Sequence, residues 1–184
     1  MTNSELAILS LINEAPRHGY EVDQIIQERG MREWTEIGFS SIYLILTKLE
    51  RSGLVVSHTE MEVGKGPARK VYNVTYAGRL ACREAILEAL SLPRPWQSPF
   101  MIGLANLTTL SPSDALAALR HYRTRLEERL AHVRARREEL ESPEYHVAAM
   151  FDRSATLLEA EIAWVDHFAR QVEEHRGDRH DLTP

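Results

Sequence analysis

A single cysteine, Cys82, stands in a chain of 184 residues. No internal disulfide can form, and no cysteine-based zinc site is possible. No apolar run approaches the roughly 20 residues that a membrane-spanning helix needs. The opening Met1-Thr2-Asn3-Ser4-Glu5 lacks a basic stretch followed by an apolar one, so no secretory signal is expected and the cytoplasm is the expected location. There is also no global excess of positive charge. The formal net charge is -5, so any nucleic-acid surface must come from local charge. Nucleophile elbow, P-loop and paired-carboxylate motifs are all missing, so nothing suggests an enzyme. The eight histidines show no metal-ligand spacing; His121 and His132, or His167 and His175, are not four residues apart. No cofactor is expected. What remains is 43% hydrophobic and 27% charged, which describes a soluble globular chain.

Periodicity divides this chain into two parts. Ser4 is expected to cap a first helix carrying Leu6, Leu9 and Ile12, which Pro16 stops. A second opens at Gly19-Tyr20 with Val22, Ile25 and Ile26 inward, and Gly30 stands at its C-terminal end. Ser40 or Ser41 should cap a third helix, from about Ile42 to Ser52, whose apolar stripe is Ile42, Ile45, Leu46 and Leu49. The pattern then becomes strand-like over residues 54–60 and 69–75, separated by the turn cluster Gly64-Lys65-Gly66-Pro67, which makes a β-hairpin. Thr75 should cap a fourth helix running to about Leu90. The prolines of Pro93-Arg94-Pro95-Trp96-Gln97-Ser98-Pro99 exclude a helix there and place the boundary between domains 1–92 and 93–184. Beyond it come a short helix near residues 100–107, a long one from Ser111-Pro112 to about Glu141, and, after Pro143, another to about His175.

Three short helices followed by a hairpin make a winged helix-turn-helix, whose third helix has the size to enter a major groove. The expected fold is therefore mainly α with a small β-hairpin, a winged helix followed by an all-α dimerisation domain. On the third helix Ser40, Ser41, Tyr43, Thr47, Lys48 and Arg51 lie off the apolar stripe and offer hydroxyls and cations suited to phosphates and base edges. Lys65, Arg69 and Lys70 add cations on the wing. From Ser40 to Arg83 there are seven cations against three anions, a local net of +4. The expected partner is a double-stranded DNA operator. The alternative is a winged-helix module that docks on protein without touching DNA; three cations grouped on the wing favour DNA.

Residues 1–92 resemble the PadR family of transcriptional regulators. Three blocks carry the resemblance in order: His18-Gly19-Tyr20-Glu21; the run from Ser40-Ser41-Ile42-Tyr43 through Leu49-Glu50 to Gly53-Leu54; and the wing from Gly66-Pro67 to Tyr72-Asn73-Val74-Thr75-Tyr76-Ala77-Gly78. The chain departs from the family pattern at Ser40-Ser41, where Gly-Thr is common, and at Leu44, where Pro is common. The resemblance implies a dimeric repressor whose third helix and wing grip DNA. It implies phosphate contacts more firmly than base preference, and it suggests phenolic acids as effectors.

In the C-terminal half, Phe151, Leu158, Val165 and Val172 recur every seventh residue. With Leu126, Val133 and Phe168 they form the stripe expected to meet a second copy of the chain, because it exceeds what one hairpin can bury; four-helix packing within a single chain is the other reading. Trp96 and Trp164 are candidates for stacking on a small-molecule effector; packing in a core or domain interface is the other reading of both. Cys82 reads as a small buried hydrophobe, with a redox sensor as the other reading.

Overall fold

The computed structural model describes residues 1–35, 37–60, 69–93 and 98–180. The chain divides into two compact units, Met1–Pro95 and Trp96–Pro184.

The first unit begins with α1 (Asn3–Glu14). Its cap is Thr2, two residues before the Ser4 expected from sequence. The Thr2 hydroxyl accepts the Glu5 N–H at 3.2 Å, and the Glu5 carboxylate accepts the Thr2 N–H at 2.9 Å. This reciprocal box satisfies two otherwise orphan donors and outcompetes a cap at Ser4, which offers no such return bond. After Pro16, β1 (Arg17–His18) leads into α2 (Gly19–Glu28). The third helix, α3 (Phe39–Arg51), starts earlier than expected, with Gly38 at its N-cap. Ser40 and Ser41 therefore sit inside its first turn rather than capping it. Gly53, at φ +69°, takes the left-handed conformation that reverses the chain after α3 at little cost only for glycine.

Two strands follow, β2 (Val55–Glu60) and β3 (Arg69–Val74), antiparallel with Val55 opposite Val74 and Glu60 opposite Arg69. The sheet has a third strand that the hairpin pattern did not suggest: β1 pairs with β3, Arg17 opposite Tyr72 and His18 opposite Val71, giving the order β1-β3-β2. A two-residue strand is too short to show alternation in sequence. The cap of α4 (Tyr76–Ser91) is Thr75, as expected, whose hydroxyl accepts the Gly78 N–H at 2.9 Å. A Cβ on Gly78 would lie 2.0 Å from the Leu54 carbonyl oxygen, so α4 starts this close to the sheet only because the residue is glycine. Ile8, Leu9, Leu11, Ile12, Val22, Ile26, Ile42, Leu46, Val55 and Cys82 close the core. Each such aliphatic side chain contributes roughly 1.5–3 kcal/mol when fully buried.

The second unit holds α5 (Pro99–Ala105), a single 3-10 turn, α6 (Pro112–Glu138) and α7 (Tyr145–His180). Helices α6 and α7 form an antiparallel hairpin. Leu119, Leu126 and Leu130 of α6 pack against Leu158 and Val165 of α7, with Val133, Phe168 and Val172 half-buried along the seam; Phe151 is also half-buried. The heptad stripe expected to meet a second copy is thus the inner face of one chain's own hairpin; Val165 is 1% exposed. The same seven-residue spacing recurs one position earlier on α7. Met150, Leu157 and Trp164 remain 44%, 40% and 40% exposed. Two adjacent stripes of equal period cannot be told apart by spacing alone, and the covered one is 151/158/165/172. Among the described residues no helix is long and apolar enough to cross a membrane, and no His, Cys, Asp and Glu cluster could hold a metal ion.

Candidate nucleic-acid interface

Ile42, Leu46 and Leu49 of α3 are buried in the core. That anchoring turns the opposite face outward. Ser40, Thr47, Lys48 and Arg51 are exposed and Ser41 is half-buried, while Tyr43 is 46% and Leu44 72% exposed. The helix therefore presents hydroxyls, cations, a phenol and one bare leucine together. Leu44 was not singled out from sequence as a contact. Its exposure offers the apolar surface that suits a thymine methyl group.

Tyr43 is positioned by a close approach between helices. A Cβ on Gly19, the first residue of α2, would sit 2.7 Å from Tyr43 Cε1. The ring lies over the start of α2 because nothing stands there. The Thr47 hydroxyl donates to the Tyr43 carbonyl at 2.8 Å, one turn back along the helix. On the wing, Arg69 and Lys70 are exposed at the root of β3. Lys65, expected at the tip, lies outside the described residues.

Two cations of this face have carboxylate partners. Lys48 donates to Glu5 of α1. The Lys48 side chain is 65% exposed while that of Glu5 is 10% exposed. The Lys48 hydrogen bond, then the Thr2 N–H, holds the Glu5 carboxyl below the ordinary glutamate range. Lys70 donates to Glu50 at 2.7 Å, and Glu50 also accepts the Ser57 hydroxyl. The Lys70 ammonium first, then Ser57, lowers the Glu50 carboxyl, and Glu50 in turn raises Lys70. Pairs 43 and 20 residues apart leave no mark in sequence. Only the Thr2-to-Glu5 spacing of the capping box was there to be read.

In the second unit Trp164 belongs to an aromatic cluster. It stacks on Phe168 at 5.1 Å and meets Phe100 edge-on at 5.9 Å; Phe100 stacks on Tyr122 at 4.3 Å. The Tyr122 hydroxyl donates to Glu161 at 2.5 Å. Burial, then this carboxylate, pushes the Tyr122 phenol up to about 12. Trp96, the other expected effector residue, lies outside the described residues.

Comparison with known proteins follows the same division. Residues 8–84 match the family model described as transcriptional regulator PadR-like, and residues 97–175 match that described as virulence activator alpha C-term. An uncharacterised protein of Lysinibacillus sphaericus is 31% identical over 81 residues, which is 44% of this chain and 72% of the other. Among solved structures, Bacillus subtilis PadR in complex with operator DNA superposes with a TM-score of 0.76 at 19% identity, covering 93% of this chain and 99% of that one. The complex of the same protein with p-coumaric acid gives 0.75 at 18%, covering 92% and 98%. The Vibrio cholerae virulence activator AphA gives 0.69 at 18%, covering 93% and 98%. At these identities the structural likeness is one of fold, a winged helix followed by a helical region. Family and fold are those of transcriptional regulators, which are not enzymes.

Proposed function

This chain belongs to the PadR-like family of transcriptional regulators, and we propose that it works as a homodimeric repressor that grips operator DNA with α3 and the wing. The observation that carries this reading is the α3 surface, where Ser40, Ser41, Tyr43, Leu44, Thr47, Lys48 and Arg51 share one outward face, with Arg69 also exposed on β3. Hydroxyls and cations there serve phosphates, while Tyr43 and Leu44 serve base edges. Lys65 extends the grip if the wing tip reaches the backbone.

Dimerisation supplies the second half of an operator. A two-fold pair of recognition helices must stand about 34 Å apart to enter successive major grooves. The uncovered stripe Met150, Leu157 and Trp164 is the surface we assign to the partner copy. The solved complex of Bacillus subtilis PadR with p-coumaric acid supports a small aromatic acid as the releasing effector, with Trp96 or Trp164 as the stacking residue.

The test is a gel shift of the intact chain with the DNA upstream of its own gene, against an unrelated duplex of equal length. Preferential retardation of the upstream duplex, and its reversal by p-coumaric acid, are expected. Equal, weak binding to both at physiological salt would instead favour a winged helix that docks on protein.

A further inference from the structure

Resting on the DNA-binding reading, the cations of this face divide by how each is held. Lys48 donates to the Glu5 carboxylate from a side chain that stands largely in solvent. Lys70 is held quite differently. Its Nζ donates to Glu50 Oε2 at 2.7 Å and lies 5.1 Å from the centroid of the Tyr72 ring; Tyr72 is itself buried. Its backbone carbonyl faces His18 Nδ1 at 3.3 Å, and His18 is the N-cap of α2. One residue of β3 thus reaches the end of α3 through its side chain and the start of α2 through its backbone. Glu50 answers from the last turn of α3, binding Lys70 of β3 and Ser57 of β2 together.

We propose that Glu50 and Lys70 are a positioning pair that fixes the wing against the recognition helix, and that Lys70 is thereby withheld from phosphate contact. Beyond the short β1 pairing at Val71 and Tyr72 the wing continues as two strands only, and a two-stranded ribbon on its own is marginally stable. If its direction relative to α3 were loose, every wing contact with DNA would first have to overcome that freedom. Isolated surface ion pairs do little, but a carboxylate shared by two strands and a cation seated on a buried ring is a network. A phosphate that drew Lys70 away would leave Glu50 facing the incoming anion with its main counter-charge gone.

The experiment uses the full chain and three variants: Glu50→Gln, Lys70→Met, and the exchange Glu50→Lys with Lys70→Glu. Glutamine still accepts the Ser57 hydroxyl, so the fold should survive. Amide hydrogen exchange over residues 55–60 and 69–74 reads the wing without DNA. Titration of the upstream and unrelated duplexes over a salt series reads binding. Both single variants are expected to speed exchange in these strands and to weaken upstream binding by roughly tenfold, as lost preorganisation would. The salt slope should change by much less than the roughly 0.9 of a lost phosphate contact, and the exchanged pair should recover most of both losses. The proposal is overturned if Lys70→Met flattens the slope by that amount while Glu50→Gln tightens binding to both duplexes, since Lys70 would then be a phosphate contact and Glu50 its competitor. It is equally overturned if exchange is unchanged in both single variants. Should the wild-type chain bind neither duplex, the DNA-binding reading fails, and the exchange data alone decide whether the pair anchors the wing.

Discussion

Glu5 makes two attachments at once, to the Thr2 N–H and to Lys48, and that doubles the consequence of changing it. The Lys48 hydrogen bond holds its carboxyl below the ordinary glutamate range in the folded chain, so the stability it contributes is complete above the unfolded value and disappears as pH falls through the folded one. Glu5→Gln should cost about 1 kcal/mol at neutral pH, the size of a lost cap. In urea unfolding the variant and wild type should converge as pH falls through the lowered Glu5 value; a difference that persists in acid would mean the carboxylate charge is not the source. Gly19 acts through space rather than charge. Gly19→Ala puts a Cβ 2.7 Å from Tyr43 Cε1, and the ring, the movable end of a side chain, must turn away. Operator affinity should fall by roughly tenfold, about 1.4 kcal/mol, with unchanged thermal stability. Tyr43→Ala should lose a similar amount, and the double variant little more, because both act through the same ring. Tyr43 itself was legible in sequence from its place off the apolar stripe of α3. The space at Gly19 that places it was not, because no periodicity reports a contact between helices.

At the scale of elements, legibility followed the length of the repeating signal. The helices and the two hairpin strands could be read because each repeats its pattern over several residues. The short strand at Arg17–His18 could not, and neither could the start of α3, where a glycine cap displaced the serines that usually fill that role. The same limit governs the charged face. Spacing puts Lys48, Arg51, Arg69 and Lys70 on the DNA side, but the pairing of Lys48 with Glu5 and of Lys70 with Glu50 depends on which elements the fold sets side by side. Elements also divide the cations by task. Lys48 and Arg51 project from α3 itself, and Lys48 can leave Glu5 for a phosphate by turning a solvent-exposed side chain. Lys48→Ala and Arg51→Ala should each flatten the plot of log binding constant against log salt by roughly 0.9, on operator and unrelated DNA alike. Fluorescence anisotropy between 50 and 200 mM salt measures this, and a slope unmoved in Lys48→Ala would show that Lys48 stays with Glu5 in the complex.

For the whole molecule, the two apolar stripes of α7 make opposite predictions for one substitution at neighbouring heptad positions. Val165 is 1% exposed inside the α6–α7 hairpin. An aspartate there is an unpaired charge in an apolar seam, costing several kcal/mol, so Val165→Asp should lower helix content and melt the second unit whether or not a partner is present. Leu157 is 40% exposed, and an aspartate at that site meets water in a single chain. If the outward stripe joins two copies, Leu157→Asp should keep its helix content and still lose the partner, since the same charge is buried only on assembly. Sedimentation at micromolar concentration should therefore give about twice 21.0 kDa for the wild type and one chain mass for Leu157→Asp. The variant should also lose its advantage on a two-half-site operator while keeping its weak affinity for one half-site, because the paired recognition helices are separated and each is intact. A Leu157→Asp protein that still sediments at the doubled mass would remove the Met150, Leu157 and Trp164 stripe from the interface. A wild type at one chain mass would remove the dimer altogether. The hairpin alone could then account for the heptad period, since Leu126, Leu158 and Val165 are already covered without a second copy.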